Sequence, residues 1–166
     1  MHARRPDLES SPLRFRFASD DDIPALAALY AGSVRALGPS LYTPAQVDAW
    51  SASPQDSERF NAWIRSAPTL LLLLDRAIAG FCGVGDDGHV TSLYVAADHT
   101  RKGVGSTLLR EAMRRARDRG IREFYTEASF FSRPVFARHG FYDDYEETVD
   151  YNGTEFRRFV MRHRID

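Results

Sequence analysis

The sequence predicts a single α+β domain of about seven strands and four or five helices. Its 166 residues suit one domain with a substantial core. Apolar segments with strand-like and helix-like spacing alternate along most of the chain. No repeat or internal linker divides it, and no apolar run approaches the ~18 residues of a membrane span. We expect a flexible tail over residues 1–12 and the domain over residues 13–166.

The first part of the chain predicts one strand and three helices. Leu13–Ala18 alternates apolar and polar residues, as a half-buried strand does. Capping and first-turn residues predict three helix starts, at Ser19, Thr43 and Pro54. Gly38-Pro39 ends the first of these helices.

The middle part predicts three strands. Thr69–Leu74 and Ala77–Gly85 form a hairpin that turns at Asp75-Arg76. A second turn over residues 85–88 leads into the strand Val90–Val95.

The segment on which the function depends follows this strand. A polar loop leads to Gly103-Val104-Gly105-Ser106, and an amphipathic helix starts there. The start of a helix leaves backbone N–H groups unpaired and carries the positive end of the helix dipole, so it favours a bound anion. The two glycines allow a close approach, and Lys102, the only lysine of the chain, adds a positive charge.

Two questions about this segment stay open: whether it binds an anion at all, and which anion it would bind. A tight turn between packed elements would give the same pattern without a ligand. The spacing matches neither the Walker loop nor the dinucleotide fingerprint, so an anion other than a nucleoside triphosphate is favoured.

The end of the chain predicts a strand, a short helix and two closing strands. These elements lie at Ile121–Ser129, Arg133–His139, Phe141–Val149 and Glu155–Met161. Gly120 and Gly140 end the two helices, and Asn152-Gly153 joins the last two strands.

Composition excludes several classes of function. A net charge of −1 argues against a nucleic-acid-binding protein, which is usually strongly basic. Cys82, the only cysteine, lies in an apolar strand pattern that favours a buried thiol over a nucleophile. His99 and His139 have no metal-ligand spacing, so no metal is expected. Met1–Pro12 lacks the apolar core of a signal peptide, so a cytoplasmic location is expected.

The order of elements and the glycine loop resemble the GNAT N-acetyltransferase superfamily from Leu13 to about Met161. Its motif A reads Gln/Arg-x-x-Gly-x-Gly/Ala after a strand. Here Gly103 and Gly105 occupy the glycine positions, and Thr100 stands at the Gln/Arg position. Further segments resemble a bacterial, YafP-like branch, namely Tyr42–Trp50, Glu127–Ser129, Arg133–Phe136 and His139–Phe141. The resemblance implies a mixed central sheet whose splayed strands form an acyl-CoA cleft.

The resemblance also implies acetyl-CoA as the cosubstrate. The backbone of Leu93, Tyr94 and Val95 would pair with the pantetheine arm at a bulge, and a free N–H near Val95 would polarise the thioester carbonyl. Ser129 would meet the pantetheine where the strands splay. Phe136 stands where many members have a tyrosine that protonates the departing thiolate. The pyrophosphate would be held by Thr100, Arg101, Lys102, Gly103, Val104, Gly105 and Ser106.

The candidates for the general base and for the acceptor site could each have a purely structural role instead. Glu127 is a candidate general base, with a pKa raised by partial burial, or else a surface or salt-bridged glutamate. His89 has a suitable pKa range but also suits a turn. Tyr94 would orient the acceptor or assist the thiolate, or else pack as an aromatic residue. Tyr42 and Trp50 would line the acceptor site or the core.

The function predicted is acyl-CoA-dependent transfer of an acetyl group to a primary amine of a small molecule or amino-acid-like acceptor. The alternative is a non-catalytic acyl-CoA-binding domain that acts as a sensor or partner subunit. The small-molecule amine is the expected partner, with no nucleic acid and no membrane, and a homodimer is left open.

Overall fold

The computed structural model describes residues 13–166, so the tail predicted over residues 1–12 lies outside it. The described chain has seven strands and five α-helices, and the α+β prediction is confirmed. The strands are β1 (Arg14–Phe17), β2 (Thr69–Leu74), β3 (Ala77–Val84), β4 (Val90–Val95), β5 (Glu123–Ala128), β6 (Tyr142–Tyr151) and β7 (Thr154–Arg164). The helices are α1 (Ile23–Leu37), α2 (Pro44–Ser51), α3 (Ser57–Arg65), α4 (Val104–Asp118) and α5 (Arg133–Arg138).

The strands form two antiparallel sheets that meet at one edge. Their orders are β1-β2-β3-β4 and β5-β7-β6. The two sheets join at the start of β4 and β5, where His89 and Tyr125 form a parallel bridge. Beyond this bridge β4 and β5 share no backbone pairing within residues 13–166. The predicted mixed sheet is therefore split by a cleft between these two strands.

Gly88 makes the junction of the two sheets possible. Its carbonyl accepts a hydrogen bond from the Tyr125 N–H at 3.1 Å. Its φ is +84°, and a Cβ atom there would lie 1.9 Å from the Glu123 carbonyl oxygen. Thr126 Oγ1 adds a bond to the Val90 carbonyl at 3.0 Å. Only glycine allows this close approach, which closes one end of the cleft.

Two apolar cores lie on opposite faces of the four-stranded sheet, because successive strand residues point to opposite sides. Leu72 packs with α4 and the second sheet, whereas Leu71 packs with the layer of α1 and α3. Both leucines are fully buried, so replacing either with alanine would cost about 2–5 kcal/mol. Cys82 is buried in the first core, and burial raises the pKa of its thiol to about 12, which does not suit a nucleophile.

The start of the third helix differs from the prediction. Pro54 lies in a separate 3-10 turn over residues 53–55, and α3 begins at Ser57. Asp56 caps α3, since its carboxylate accepts the Arg59 N–H at 3.1 Å. A first-turn proline and a capping aspartate are both start signals, and the aspartate acts here because its side chain reaches a free helix N–H.

The position of the bulge in β4 also differs from the prediction. Leu93, Tyr94 and Val95 pair regularly with residues 80–82 of β3. The register shift lies earlier, at Thr91, which has no partner between the Gly83–Ser92 and Val84–Val90 pairs. The Ser92 hydroxyl accepts the Gly83 N–H at 2.8 Å and satisfies a donor at the irregularity.

The closing hairpin is longer than predicted, and charge pairs join side chains of its two strands. Asn152 and Gly153 have φ values of +52° and +81°, as a type I′ turn requires. Arginines of β7 pair with carboxylates of β6, including Arg158 with Glu147 at 2.6 Å. No helix within residues 13–166 is long and apolar enough to cross a membrane.

Candidate active site

A cavity of about 380 Å³ occupies the cleft between the splayed strands. Its walls come from β4, the start of α4, the end of β5, α5 and the C-terminal part of α1. Thirteen of the predicted site residues line it: Trp50, Leu93, Tyr94, Val95, Thr100, Arg101, Gly103, Val104, Gly105, Ser106, Glu127, Ser129 and Phe136. Tyr42, His89 and Lys102 do not line it.

The glycine loop places free backbone donors at one end of the cavity. Gly103 has a φ of +80° and precedes α4. The Thr107 N–H donates to the Gly103 carbonyl at 3.0 Å, so the N–H groups of residues 104–106 precede the helical ladder and have no backbone acceptor within residues 13–166. An anion there would meet these donors and the positive end of a 15-residue helix.

The positive charge at this end comes from arginines rather than from the lysine. Arg101 lines the cavity and holds a φ of +62°, which is uncommon outside glycine. The exposed Lys102 follows it but does not reach the cavity wall. Arg138 of α5 also lines the cavity and forms no ion pair within residues 13–166. Together with burial, the charges of Arg110 and Arg138 lower the pKa of His139, so a basic cluster lies beside the cavity mouth.

The outer edge of β4 presents unpaired main-chain groups to the cleft. The Ala96 N–H donates to the Ala79 carbonyl at 2.8 Å, and ladder bonds of an antiparallel pair fall on every second residue. The main-chain groups of Leu93 and Val95 therefore point away from β3, toward the space that β5 leaves open. An extended ligand can pair with this edge as a strand would.

Glu127 lies on β5 and binds His89 directly. The His89 Nε2 atom and the Glu127 Oε2 atom are 2.6 Å apart, and each side chain is about 30% exposed. Burial alone would raise the pKa of Glu127, but the hydrogen bond and charge of His89, together with the charge of Arg158, outweigh it and lower this pKa. The expected raised pKa is therefore wrong, since the partner could not be seen in the sequence. The same hydrogen bond raises the pKa of His89 above its usual 6.5.

Two further contacts, one to the ring and one to the backbone, hold His89 in place. Its ring stacks on Tyr125 at a centroid distance of 4.5 Å, and its backbone N–H donates to Asp87 Oδ1 at 3.1 Å. The Tyr125 hydroxyl donates to the other oxygen of Asp87 at 2.7 Å. Because Glu127 lines the cavity and His89 does not, the carboxylate meets the ligand and the imidazole lies behind it.

Ser129 and Phe136 lie where β5 leads into α5. Ser129 Oγ accepts the Ser132 N–H at 3.1 Å, and Ser132 Oγ accepts the Ser129 N–H at 2.9 Å. This reciprocal pair shapes the cavity wall at the entry to α5. Phe136 is 2% exposed and packs edge-to-face on Phe141. Its ring offers no proton to a leaving group.

The aromatic candidates divide into cavity-lining and supporting residues. Trp50 Nε1 donates to the Tyr94 hydroxyl at 3.2 Å, and both side chains line the cavity. Burial raises the pKa of Tyr94 well above its usual value, so this phenol is a weak acid. Tyr42 is 7% exposed, and its hydroxyl accepts the Phe130 N–H at 3.0 Å. Tyr42 therefore supports the segment after β5 and does not reach the cavity.

Several lining residues were missed by the sequence analysis. Arg138 and Val135 come from α5, Phe131 from the preceding loop, and Ser33 from α1. Arg138, a basic residue in the last turn of α5, could have been chosen as a candidate from the sequence. Whether its side chain faces the cavity depends on how α5 packs. Within residues 13–166, no group of three His, Cys, Asp or Glu side chains could hold a metal ion.

Comparison with known proteins gives consistent matches. The family model of the acetyltransferase (GNAT) domain matches residues 40–163. The uncharacterized N-acetyltransferase YafP of Escherichia coli K12 is 24% identical over 152 residues, which cover 92% of this chain and 96% of YafP.

Two solved structures extend the likeness to the fold. A GCN5-related N-acetyltransferase from Rhodopseudomonas palustris is 27% identical, with a TM-score of 0.87 over 94% of this chain and 97% of that one. The PaiA N-acetyltransferase from Thermoplasma acidophilum, solved with coenzyme A, is 19% identical, with a TM-score of 0.72 over 92% and 99% of the two chains. With a family match over most of its length and the same fold, the chain belongs to the GNAT acetyltransferases.

Proposed function

We propose that the chain transfers an acetyl group from acetyl-CoA to the primary amine of a small-molecule or amino-acid-like acceptor by direct attack. One observation carries the proposal. A single cavity joins the free N–H groups at the start of α4 to the Glu127 carboxylate. An anionic cosubstrate and a proton-accepting group can therefore act on the same reaction centre.

The residues at one end of the cavity fit coenzyme A. The pyrophosphate would bind the N–H groups at the start of α4, with Arg101 and Arg138 supplying positive charge. The amides of the pantetheine arm would pair with the free main-chain edge at Leu93 and Val95. The Val95 N–H remains the candidate donor to the thioester carbonyl. The likeness to PaiA, which was solved with coenzyme A, supports this assignment.

The Glu127–His89 pair would remove a proton from the acceptor. An amine is protonated near neutral pH and must lose a proton before its nitrogen can attack. Glu127 faces the cavity as a carboxylate, takes this proton and shares it with His89 across their 2.6 Å contact. Because their hydrogen bond raises the pKa of His89 and lowers that of Glu127, the proton would come to rest on the imidazole, and the pair would be a stronger base than the carboxylate by itself.

The leaving thiolate would depart without a dedicated acid. The C–N bond forms as the C–S bond breaks, and the second proton of the amine passes to water or to the thiolate. Phe136 has no proton to give, and the raised pKa of Tyr94 makes its phenol a poor donor. A thiolate whose conjugate acid has a pKa of about 8.5 leaves adequately by itself.

The experiment is a measurement of free CoA released from acetyl-CoA with a panel of primary amines, with mass detection of the N-acetyl product. Calorimetric titration of acetyl-CoA is run in parallel. We expect binding together with amine-dependent release. Binding without release for any amine would contradict transfer and favour the non-catalytic acyl-CoA-binding domain.

A further inference from the structure

Three aromatic side chains give the cavity an apolar wall. Trp50, Tyr94 and Phe131 all line it, and each is only partly buried. The indole of Trp50 is fixed by its hydrogen bond to the Tyr94 hydroxyl at 3.2 Å. Tyr94 is fixed in turn by stacking on the buried Phe81 at a centroid distance of 5.4 Å. This hydrogen bond and this stacking contact restrict the orientations of the Trp50 and Tyr94 rings.

Tyr42 braces this wall from behind. Its ring lies 5.1 Å from Trp50 and 5.9 Å from Phe131, measured between centroids. Its hydroxyl bond to the Phe130 N–H ties the turn before α2 to the segment after β5. The wall is thus preorganised, and a flat apolar ligand would bind it at a low entropic cost.

The charges around the cavity limit the charge of the acceptor. Glu127 is the only carboxylate that lines it within the described residues, and it is already assigned to the reacting amine. A second ammonium group would have no partner there, and an unpaired charge is costly to desolvate. Arg101 and Arg138 lie with the glycine loop and α5, so they would be occupied by the phosphates of coenzyme A.

We infer that the acceptor is an arylalkylamine, a primary amine that carries one aromatic ring and one positive charge. This inference rests on the proposed function and narrows its acceptor. The ring binds against Trp50, Tyr94 and Phe131, while the amine reaches Glu127. Polyamines are poor acceptors because their second charge is unpaired, and free aromatic amino acids are poor because their carboxylate lacks a free cation.

The test compares kcat/KM for four amines with saturating acetyl-CoA. The probes are 2-phenylethylamine, n-butylamine, 1,4-diaminobutane and phenylalanine. We expect 2-phenylethylamine to exceed each of the others by at least about tenfold, the scale on which apolar pockets discriminate.

Two tryptophan variants assign this preference to the wall. Trp50→Leu should reduce the ratio of 2-phenylethylamine to n-butylamine severalfold, and Trp50→Phe should restore most of it. Trp63→Leu is the matched control, because Trp63 also packs against Tyr94, at 6.0 Å, but does not line the cavity. Phe131→Leu is a second wall variant in case Trp50→Leu does not fold, and thermal melts monitored by circular dichroism check each protein.

The outcomes separate this inference from the proposed function. Rapid turnover of n-butylamine or 1,4-diaminobutane, with no preference for the aromatic amine, overturns the acceptor class and leaves acetyl transfer standing. Binding of acetyl-CoA without release for any amine overturns both. An aromatic preference that persists in full in folded Trp50→Leu and Phe131→Leu overturns the assignment to this wall.

Discussion

The two ends of the cleft are built in different ways. The glycine-loop end comes from one continuous segment, in which Arg101 and Gly103 take positive φ values so that the N–H groups of α4 face the cavity. The carboxylate end joins His89 and Glu127, 38 residues apart, across the junction of two sheets. Main-chain donors form the first end, whereas individual side chains form the second.

This difference predicts how each end responds to substitution. A main-chain site depends on space and backbone conformation, so most side-chain changes there have small effects. A side-chain site depends on single functional groups, so conservative changes have large effects. The predictions below test this comparison, from the largest expected effect to the smallest.

Glu127→Gln should lower kcat/KM by about 10²–10⁴, the typical contribution of a general base. The change keeps the size of the side chain and removes the proton-accepting carboxylate together with the effect of its charge on His89. Glu146→Gln is the matched control, because Glu146 pairs with Arg157 on the closing hairpin and does not line the cavity. Equal rates for Glu127→Gln and the parent across the pH range would reject the base assignment.

Gly88→Ala should destabilise the fold by about 3 kcal/mol or more, because it combines a positive φ with a clash against the Glu123 carbonyl. Urea denaturation measures this loss. Gly32→Ala is the control, since a Cβ atom there meets nothing within 4 Å and α1 should gain about 0.5–1 kcal/mol. Similar stabilities for the two variants would mean that the junction does not depend on Gly88.

Gly105→Val should weaken acetyl-CoA binding about 10- to 100-fold, the value of one or two charge-assisted backbone hydrogen bonds. A Cβ atom at residue 105 would lie 3.5 Å from Val95 Cγ2, an ordinary contact, so the variant should fold. Lys102→Gln should change affinity only a few-fold, because Lys102 is exposed and outside the cavity wall. Calorimetry compares both. A larger loss for Lys102→Gln would reverse the assignment of charge to the arginines.

The parent kcat/KM should rise with pH through an inflection above 6.5, because Glu127 raises the pKa of His89 and the pair accepts a proton only while the imidazole is neutral. His89→Gln should remove this inflection and lower kcat/KM about tenfold at neutral pH. The pH–rate profiles of the two proteins measure the effect. An unchanged inflection in His89→Gln would assign the titration to another group.

The same pair has a signature in stability. The raised pKa of His89 stabilises the fold below 6.5, and this contribution is lost as pH rises through the raised value. The lowered pKa of Glu127 stabilises it above 4.5, and this contribution is lost as pH falls through the lowered value. The urea midpoints of the parent and His89→Gln should therefore differ most between pH 4.5 and 6.5.

Phe136→Tyr should leave kcat within about threefold of the parent, since a thiolate with a pKa of about 8.5 needs no acid. Phe136→Leu controls for changes in packing at this buried position. Steady-state CoA release measures both variants. A gain of tenfold or more in Phe136→Tyr alone would show that thiolate protonation limits the parent enzyme.

The sequence by itself determined the elements and the glycine-loop end of the site. Helix caps such as Thr43, the turn at Asn152-Gly153 and the strand–glycine–helix segment act through local backbone geometry, so their meaning is contained in neighbouring residues. The start of α3 was misplaced by a few residues, because two competing start signals, Pro54 and Asp56, are settled by which side chain reaches a free helix N–H. The bulge, which the resemblance implied at residues 93–95, lies at Thr91.

Only the tertiary structure decided the contacts and pKa shifts at the carboxylate end of the cleft. The lowered pKa of Glu127 depends on His89, and their contact exists because Gly88 lets β4 and β5 start side by side. Likewise, packing decided that Trp50 lines the cavity while Tyr42 supports it, and that Arg138 reaches the cavity while Lys102 does not. Burial and charge at these positions are set by residues distant in sequence, so local patterns could name the candidates but not assign them.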